Sequence, residues 1–157
     1  MKKLGLILLV GAAAWLVGRL PHPAVDIGKL EPVEVVLLTA TDEGIRLETD
    51  TGAWGEGKTL KDAVAALKQA DSKEVFLDTA EKLLICGDMT DYWQEIWIHF
   101  RPAAQVCLVT DNVDLQEAAG YLSMHPTGLT LGKLRAGLGE WKIFTITEGR
   151  GRFEDTG

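Results

Sequence analysis

Cysteine is scarce: two among 157 residues is too few for a disulfide framework or a cysteine-based metal site. Cys86 and Cys107 lie inside the apolar runs KLLICG and AQVCLVT, where a thiol packs as a small hydrophobe. A cross-link between neighbouring strands is the alternative in an oxidising compartment. The three histidines, His22, His99 and His125, are scattered without metal-ligand spacing. Positive charge is in deficit, with 16 Lys and Arg against 23 Asp and Glu, and no basic cluster offsets the net charge of -7. Nucleic acid and acidic lipid surfaces, which are bound through clustered Lys and Arg, are thereby disfavoured as partners. There is no nucleophile elbow, and Ser72 and Ser123 stand in polar loop contexts with no base in view, so a hydrolytic triad is unsupported. Internal repeats and low-complexity tracts are absent as well.

What is present is a foldable composition, 46% apolar and 25% charged, in a length that suits one domain with an appendage. The appendage is N-terminal. Lys2-Lys3 precede an apolar run from Leu4 to Gly18, and Arg19 follows it. Fifteen apolar residues are short of the about 20 that a spanning helix needs, so residues 1–20 read as a signal anchor extended by snorkelling Lys2 and Arg19, with a cleaved signal peptide as the alternative. The charge bias places Met1 in the cytoplasm and everything after Arg19 outside. Cleavage, at the small residues Ala12 and Ala14, would instead leave a secreted chain. Residues 21–32, with three prolines, read as a tether. Residues 33–148 read as the folded domain and 149–157 as a flexible tail.

Within the domain, VEVVLLTAT and GIRLETD flank a turn at Thr41 to Gly44, which predicts an antiparallel hairpin. Ile45, Leu47 and Thr49 alternate with Arg46, Glu48 and Asp50, so one face of the second strand is expected to be wet. The central stretch, residues 52–87, holds a glycine turn, a helix and two apolar strands, VFLD and KLLICG. Leu60, Ala63, Val64 and Leu67 mark the buried face of that helix, and Thr59 with Asp62 has capping-box spacing. Gly52, Gly57, Lys58 and Thr59 also match the phosphate-loop pattern G-x-x-x-x-G-K-[ST] letter for letter. That match reads as a decoy: a phosphate loop follows a strand buried in a parallel sheet, whereas GIRLETD alternates with charge and is expected to pair antiparallel.

Farther on, Met89, Tyr92, Trp93, Ile96, Trp97 and Phe100 recur at helical spacing and predict a core-facing aromatic stripe, with a Trp93–Trp97 ligand box as the sharper alternative. AQVCLVT reads as another buried strand, Leu115 to Leu122 as a helix, Leu131, Leu134 and Leu138 as a weak helix, and WKIFTITE as the last strand. Asp50, Asp78, Asp88 and Asp111 fall near strand ends, where open α/β sheets bind ligands, although acids there also cap helices and solubilise loops.

The order EPVEVVLLTATDEGIRLETD, GEGKTLKDAVAALKQADSKEVFL, LLICGD, FRP, AQVCLVTD and NVDLQEAA resembles the N-terminal domain of the Ger(x)C family, the C subunits of spore germinant receptors, from about Leu16 to Leu122. The resemblance implies a membrane-attached, extracytoplasmic protein without catalysis or cofactor, working in spore germination or sporulation with integral-membrane receptor subunits. Three departures accompany it. Arg19 stands where the lipobox cysteine would be, Asp78-Thr79 replace a Gly-His pair, and the chain stops where the family's later domains would begin. The expectation is an α/β domain with a mixed sheet, an N-terminal hairpin, strand-helix-strand units and packed helices, acting as a scaffold or interaction protein. A phosphate-loop nucleotide-binding protein and an extracytoplasmic small-ligand binder are the alternatives.

Overall fold

A computed structural model describes residues 30–70, 74–110, 113–147 and 150–156. The anchor, most of the tether, Asp71-Ser72 and Asp111 lie outside the described residues. Among those described, no helix is long and apolar enough to cross a membrane.

The domain is α/β, built on a mixed sheet. Its strands are β2 (Val35–Thr41), β3 (Gly44–Thr49), β4 (Trp54–Gly57), β6 (Lys82–Cys86), β7 (Gln105–Leu108), β8 (Lys142–Thr147) and β9 (Arg150–Asp155), in the spatial order β4-β3-β2-β6-β7-β8-β9. Strands β2, β6, β7 and β8 run parallel, while β3 and β9 pair antiparallel with β2 and β8, and β4 antiparallel with β3. The central parallel strands are buried along their length, Val35 to Leu38 in β2 and Lys82 to Ile85 in β6, because helices cover both faces. Strand β3 alternates, burying Ile45, Leu47 and Thr49, in line with its sequence pattern.

Helix α1 (Leu60–Ala70) lays Leu60, Ala63, Val64 and Leu67 on one face of the sheet against Val36, Leu38, Leu83 and Ile85. Ile96 of α2 (Trp93–His99) and Leu131 of α4 (Leu131–Arg135) join that cluster. The opposite face packs Val35, Leu37, Leu84, Cys107 and Phe144 against Ala118 and Leu122 of α3 (Leu115–Met124). Each large side chain so buried contributes about 1.5–3 kcal/mol by leaving water.

Four expectations need correction. Part of the tether is structured: β1 (Leu30–Pro32) pairs in parallel with β5 (Glu74–Phe76) as a separate two-stranded sheet. VFLD therefore supplies no strand to the main sheet; after β5 it tightens into a 3₁₀ turn at Leu77–Thr79. Within the stretch expected as a flexible tail, Arg150–Asp155 forms β9, which pairs with β8 from Lys142↔Asp155 to Thr147↔Arg150, so WKIFTITE is the penultimate strand. Only two residues of β9 face inward, Gly151 and Phe153, and only the second brings a side chain, too little to give the stretch an apolar signature. The aromatic stripe is also broken: Thr90–Tyr92 forms a 3₁₀ turn before α2 begins.

Candidate functional site

The residues of the phosphate-loop match do not share a loop. Gly52 sits in the β3–β4 turn with φ +88°, donating its N–H to Thr49 O at 2.9 Å. Gly57 is the last residue of β4, opposite Ile45 in the antiparallel ladder. The stretch between them is thus a strand rather than a cradle. Its glycines have a packing reason, because α1 rests directly on β4. A Cβ at Gly55 would come within 2.5 Å of Leu67 N, and one at Gly57 within 2.5 Å of Asp62 Cβ and 2.7 Å of Ala63 N. Only a strand lacking side chains on that face lets the helix backbone approach so closely.

The N-terminus of α1 is already supplied with acceptors. Asp62 N donates to Thr59 Oγ1 at 3.1 Å, and Ala63 N to Thr59 O at 3.0 Å. Lys61 N donates to Glu95 Oε2 at 3.0 Å, a carboxylate delivered from α2. Helix N-termini attract anions through free N–H groups and the positive end of the helix dipole. Here Glu95 takes that place, and a phosphate arriving at the same end would meet its charge. Lys58 is exposed. Glu95 was not among the residues singled out from sequence, since no local signal links it to a helix start 34 positions earlier.

The strand-end aspartates do not converge. Asp88 follows β6 at the edge where the parallel strands end, and its carboxylate accepts from Thr90 N at 2.9 Å and Thr90 Oγ1 at 2.6 Å. Those bonds hold its pKa below the ordinary carboxylate value. Asp50 lies at the opposite edge, beside the start of β2, where its Oδ2 accepts from Glu34 N at 3.2 Å. Burial pushes its carboxyl up, against the pull of the neighbouring backbone N–H groups. Asp78 is at this second edge too, exposed on a cleft of about 160 Å³ shared with Lys68 and His99. Its neighbour Thr79 accepts from Val33 N at 3.1 Å and donates to Phe76 O at 2.7 Å, which ties the 3₁₀ turn to the lead-in of β2.

Trp93 and Trp97, expected in the core, are half-buried at its margin, and Met89, Ile96 and Phe100 are the fully packed members of that stripe. Trp93 stacks on Trp97 with centroids 6.1 Å apart and tilts against Trp141 at 5.8 Å. The Arg135 guanidinium lies 5.5 Å from the Trp97 ring centroid. The hollow beside Trp97, Phe100 and Arg135 measures about 20 Å³, room for a water but not for an organic ligand.

Ser123 differs from its sequence reading. It belongs to the last turn of α3, and the buried Lys82 donates from Nζ to its Oγ at 3.1 Å. A Ser–Lys pair invites comparison with a nucleophile and its base. The polarity runs the other way: the hydroxyl donates to Ala119 O at 2.8 Å, leaving Lys82 as the donor, with Glu81 Oε2 3.7 Å from its Nζ. A helix C-terminus also presents carbonyl oxygens, the wrong dipole for an oxyanion. The pair anchors α3 to β6.

Cys107 and Cys86 occupy adjacent strands, but Cys107 stands opposite Leu84 in the register, and burial pushes its thiol up to about 12. The FRP motif is structural. Phe100 is buried, Arg101 Nε donates to Ala80 O at 3.0 Å, and Pro102 O accepts from Gly132 N at 2.8 Å. His125 lies tilted against Tyr121, with ring centroids 4.4 Å apart. Among the described residues, no group of three His, Cys, Asp or Glu side chains is placed to hold a metal ion.

No family model, curated protein or solved structure matches the chain.

Proposed function

We propose that this chain is a non-catalytic, membrane-anchored scaffold or interaction protein on the extracytoplasmic face, resembling a germinant-receptor C subunit and acting in spore germination or sporulation. The observation that carries the non-catalytic part is the closure of the α1 N-terminus. Its first donors go to Thr59 and Glu95, so the one nucleotide-binding signature in the sequence is used for helix capping and helix-on-strand packing. The motifs that carry the family likeness support the same reading, since GEGKT, LLICGD and FRP are spent on folding contacts. The anchor proposal rests on the residues 1–20 pattern, and the partner proposal on the resemblance.

The test has two arms. In a spore-forming host, the full chain carrying a C-terminal tag should co-isolate with integral-membrane germinant-receptor subunits and resist a salt wash; release by salt or absence of those subunits would overturn the assignment. Calorimetry with magnesium and ATP should give no binding heat, and binding abolished by Lys58→Ala would restore the nucleotide reading.

A further inference from the structure

The strands of the sheet are not joined evenly. β2 and β6 stay in register from Val35↔Lys82 to Thr39↔Cys86, and β6 and β7 from Lys82↔Gln105 to Ile85↔Leu108. β7 and β8 meet only at Leu108↔Ile143, whereas β8 and β9 pair along their whole length. The cause is a wedge. Residues 129–131 take the free side of β7: Val106 N donates to Leu129 O at 3.0 Å, Leu131 N to Ala104 O at 2.8 Å, and Gln105 bridges antiparallel to Thr130. β8 is thereby kept off the first part of β7, and a cleft of about 530 Å³ at the foot of the hairpin is lined from both sides, by Thr127 and Leu129 and by Gly139 and Lys142. Leading into β8, Gly137 and Gly139 stand at φ +68° and +96°, and glycine changes backbone direction without a Cβ penalty. Beyond the seam the hairpin is held by side chains. Phe144 and Phe153 lie 5.6 and 6.2 Å from the Tyr121 ring of α3, and Trp141 lies 5.8 Å from Trp93.

We propose that the β8–β9 hairpin is a leaf that opens from the sheet as a unit, turning at Gly137 and Gly139, while β4 to β7 and their helices stay folded. Proteins open in contiguous cooperative units that follow supersecondary motifs, and the ladder that would couple this motif to the rest is nearly cut between β7 and β8. A two-stranded hairpin alone is marginally stable in water, so the leaf loses its own ladder on opening, and β8 and β9 exchange together. Opening lifts Phe144 from the face it shares with Leu84, Cys107 and Leu122, and uncovers apolar surface there while the α1 side of the sheet remains closed. The other outer strand has no such seam: β4 is paired from Ile45↔Gly57 to Glu48↔Trp54 and lies directly beneath α1.

The test is hydrogen exchange of the full chain at low denaturant. Hydrogen-bonded amides of residues 142–147 and 150–155 should share one opening, at least about tenfold more populated than the opening of β2 and β6, a difference of about 1.4 kcal/mol. That opening should grow with denaturant, because it exposes buried surface. Exchange that is insensitive to denaturant and graded from β9 inward would be fraying of single strands, and would overturn the proposal. A variant on the opposite face separates the leaf from global unfolding. Val64 is buried on α1, and the open leaf leaves its contacts intact. Val64→Ala should therefore speed exchange in β2 and β6 about tenfold and leave the hairpin rate unchanged. Equal acceleration of β8 and β9 would mean that they open only with the whole domain, and the leaf would fall.

Discussion

Both ends of the sheet are held by a glycine set against something bulky, but the bulk differs. At β4 the neighbour is the backbone of α1, within 2.5 Å of where a Gly55 Cβ would lie through Leu67 N. At β9 the neighbour of Gly151 is the Tyr121 ring, with Cδ1 and Cγ each 2.5 Å from the corresponding point. Tyr121 also sits among Phe144 and Phe153, with centroids 5.6 and 6.2 Å away. A helix backbone has nowhere to go without breaking its own hydrogen bonds, whereas a ring can turn about its side-chain torsions. The β4 end is therefore rigid where it meets α1, and the β9 end adaptable inside and charged outside.

The largest effect is expected where the β9 end meets the core. Phe144 is fully buried, and Phe144→Ala should cost about 3–5 kcal/mol, read as a loss of thermal or denaturant stability together with faster exchange in β8 and β9. A cost under about 1 kcal/mol would show that the aromatic cluster does not hold this end.

The next prediction sets the two glycines against each other. Gly55→Ala should destabilise by about 1–3 kcal/mol or more, because a methyl must displace helix backbone. Gly151→Ala should cost clearly less, with Tyr121 shifting to admit it. Denaturant midpoints of the two variants decide the matter, and equal losses would erase the distinction between backbone and ring as neighbours.

The smallest effect concerns Asp50, just past β3 at the turn into β4. Its folded pKa is raised by burial, so the folded state holds the proton more tightly than the unfolded chain does. Stability from this group is fully present below the ordinary value of 3.8 and is lost as pH rises through the folded pKa. Asp50→Asn, which keeps an oxygen for Glu34 N, should flatten the stability profile in that acidic window and favour the variant slightly above it. An unchanged pH profile would count against the desolvation account.

Much of the scaffold was legible because its signals are local. The continuous apolar runs of β2 and β6, the alternation of β3 and the 3.6-residue pattern of α1 each report burial directly. Capping at Thr59 was legible for the same reason, the partner being three residues away. Strand β9 escaped notice because RGRFED offers the core only Phe153 and a glycine. The tryptophan positions were misjudged in degree: helical spacing says which residues share a side, not how far that side is covered. Trp141 and Arg135, which complete the cluster, come from segments that no periodicity connects to α2.

Residue order alone determined the α/β class, the hairpin, the capped helix and the acidic, cysteine-poor character of the chain, because each depends on neighbours within a turn or two. Tertiary structure decided what the letters G-x-x-x-x-G-K-T mean here. Their glycines make room for a helix only because α1 folds back onto β4, and the helix start is closed only because α2 delivers Glu95 from 34 residues away. Contacts of that range are set by how whole elements pack, and nothing in the local pattern specifies them.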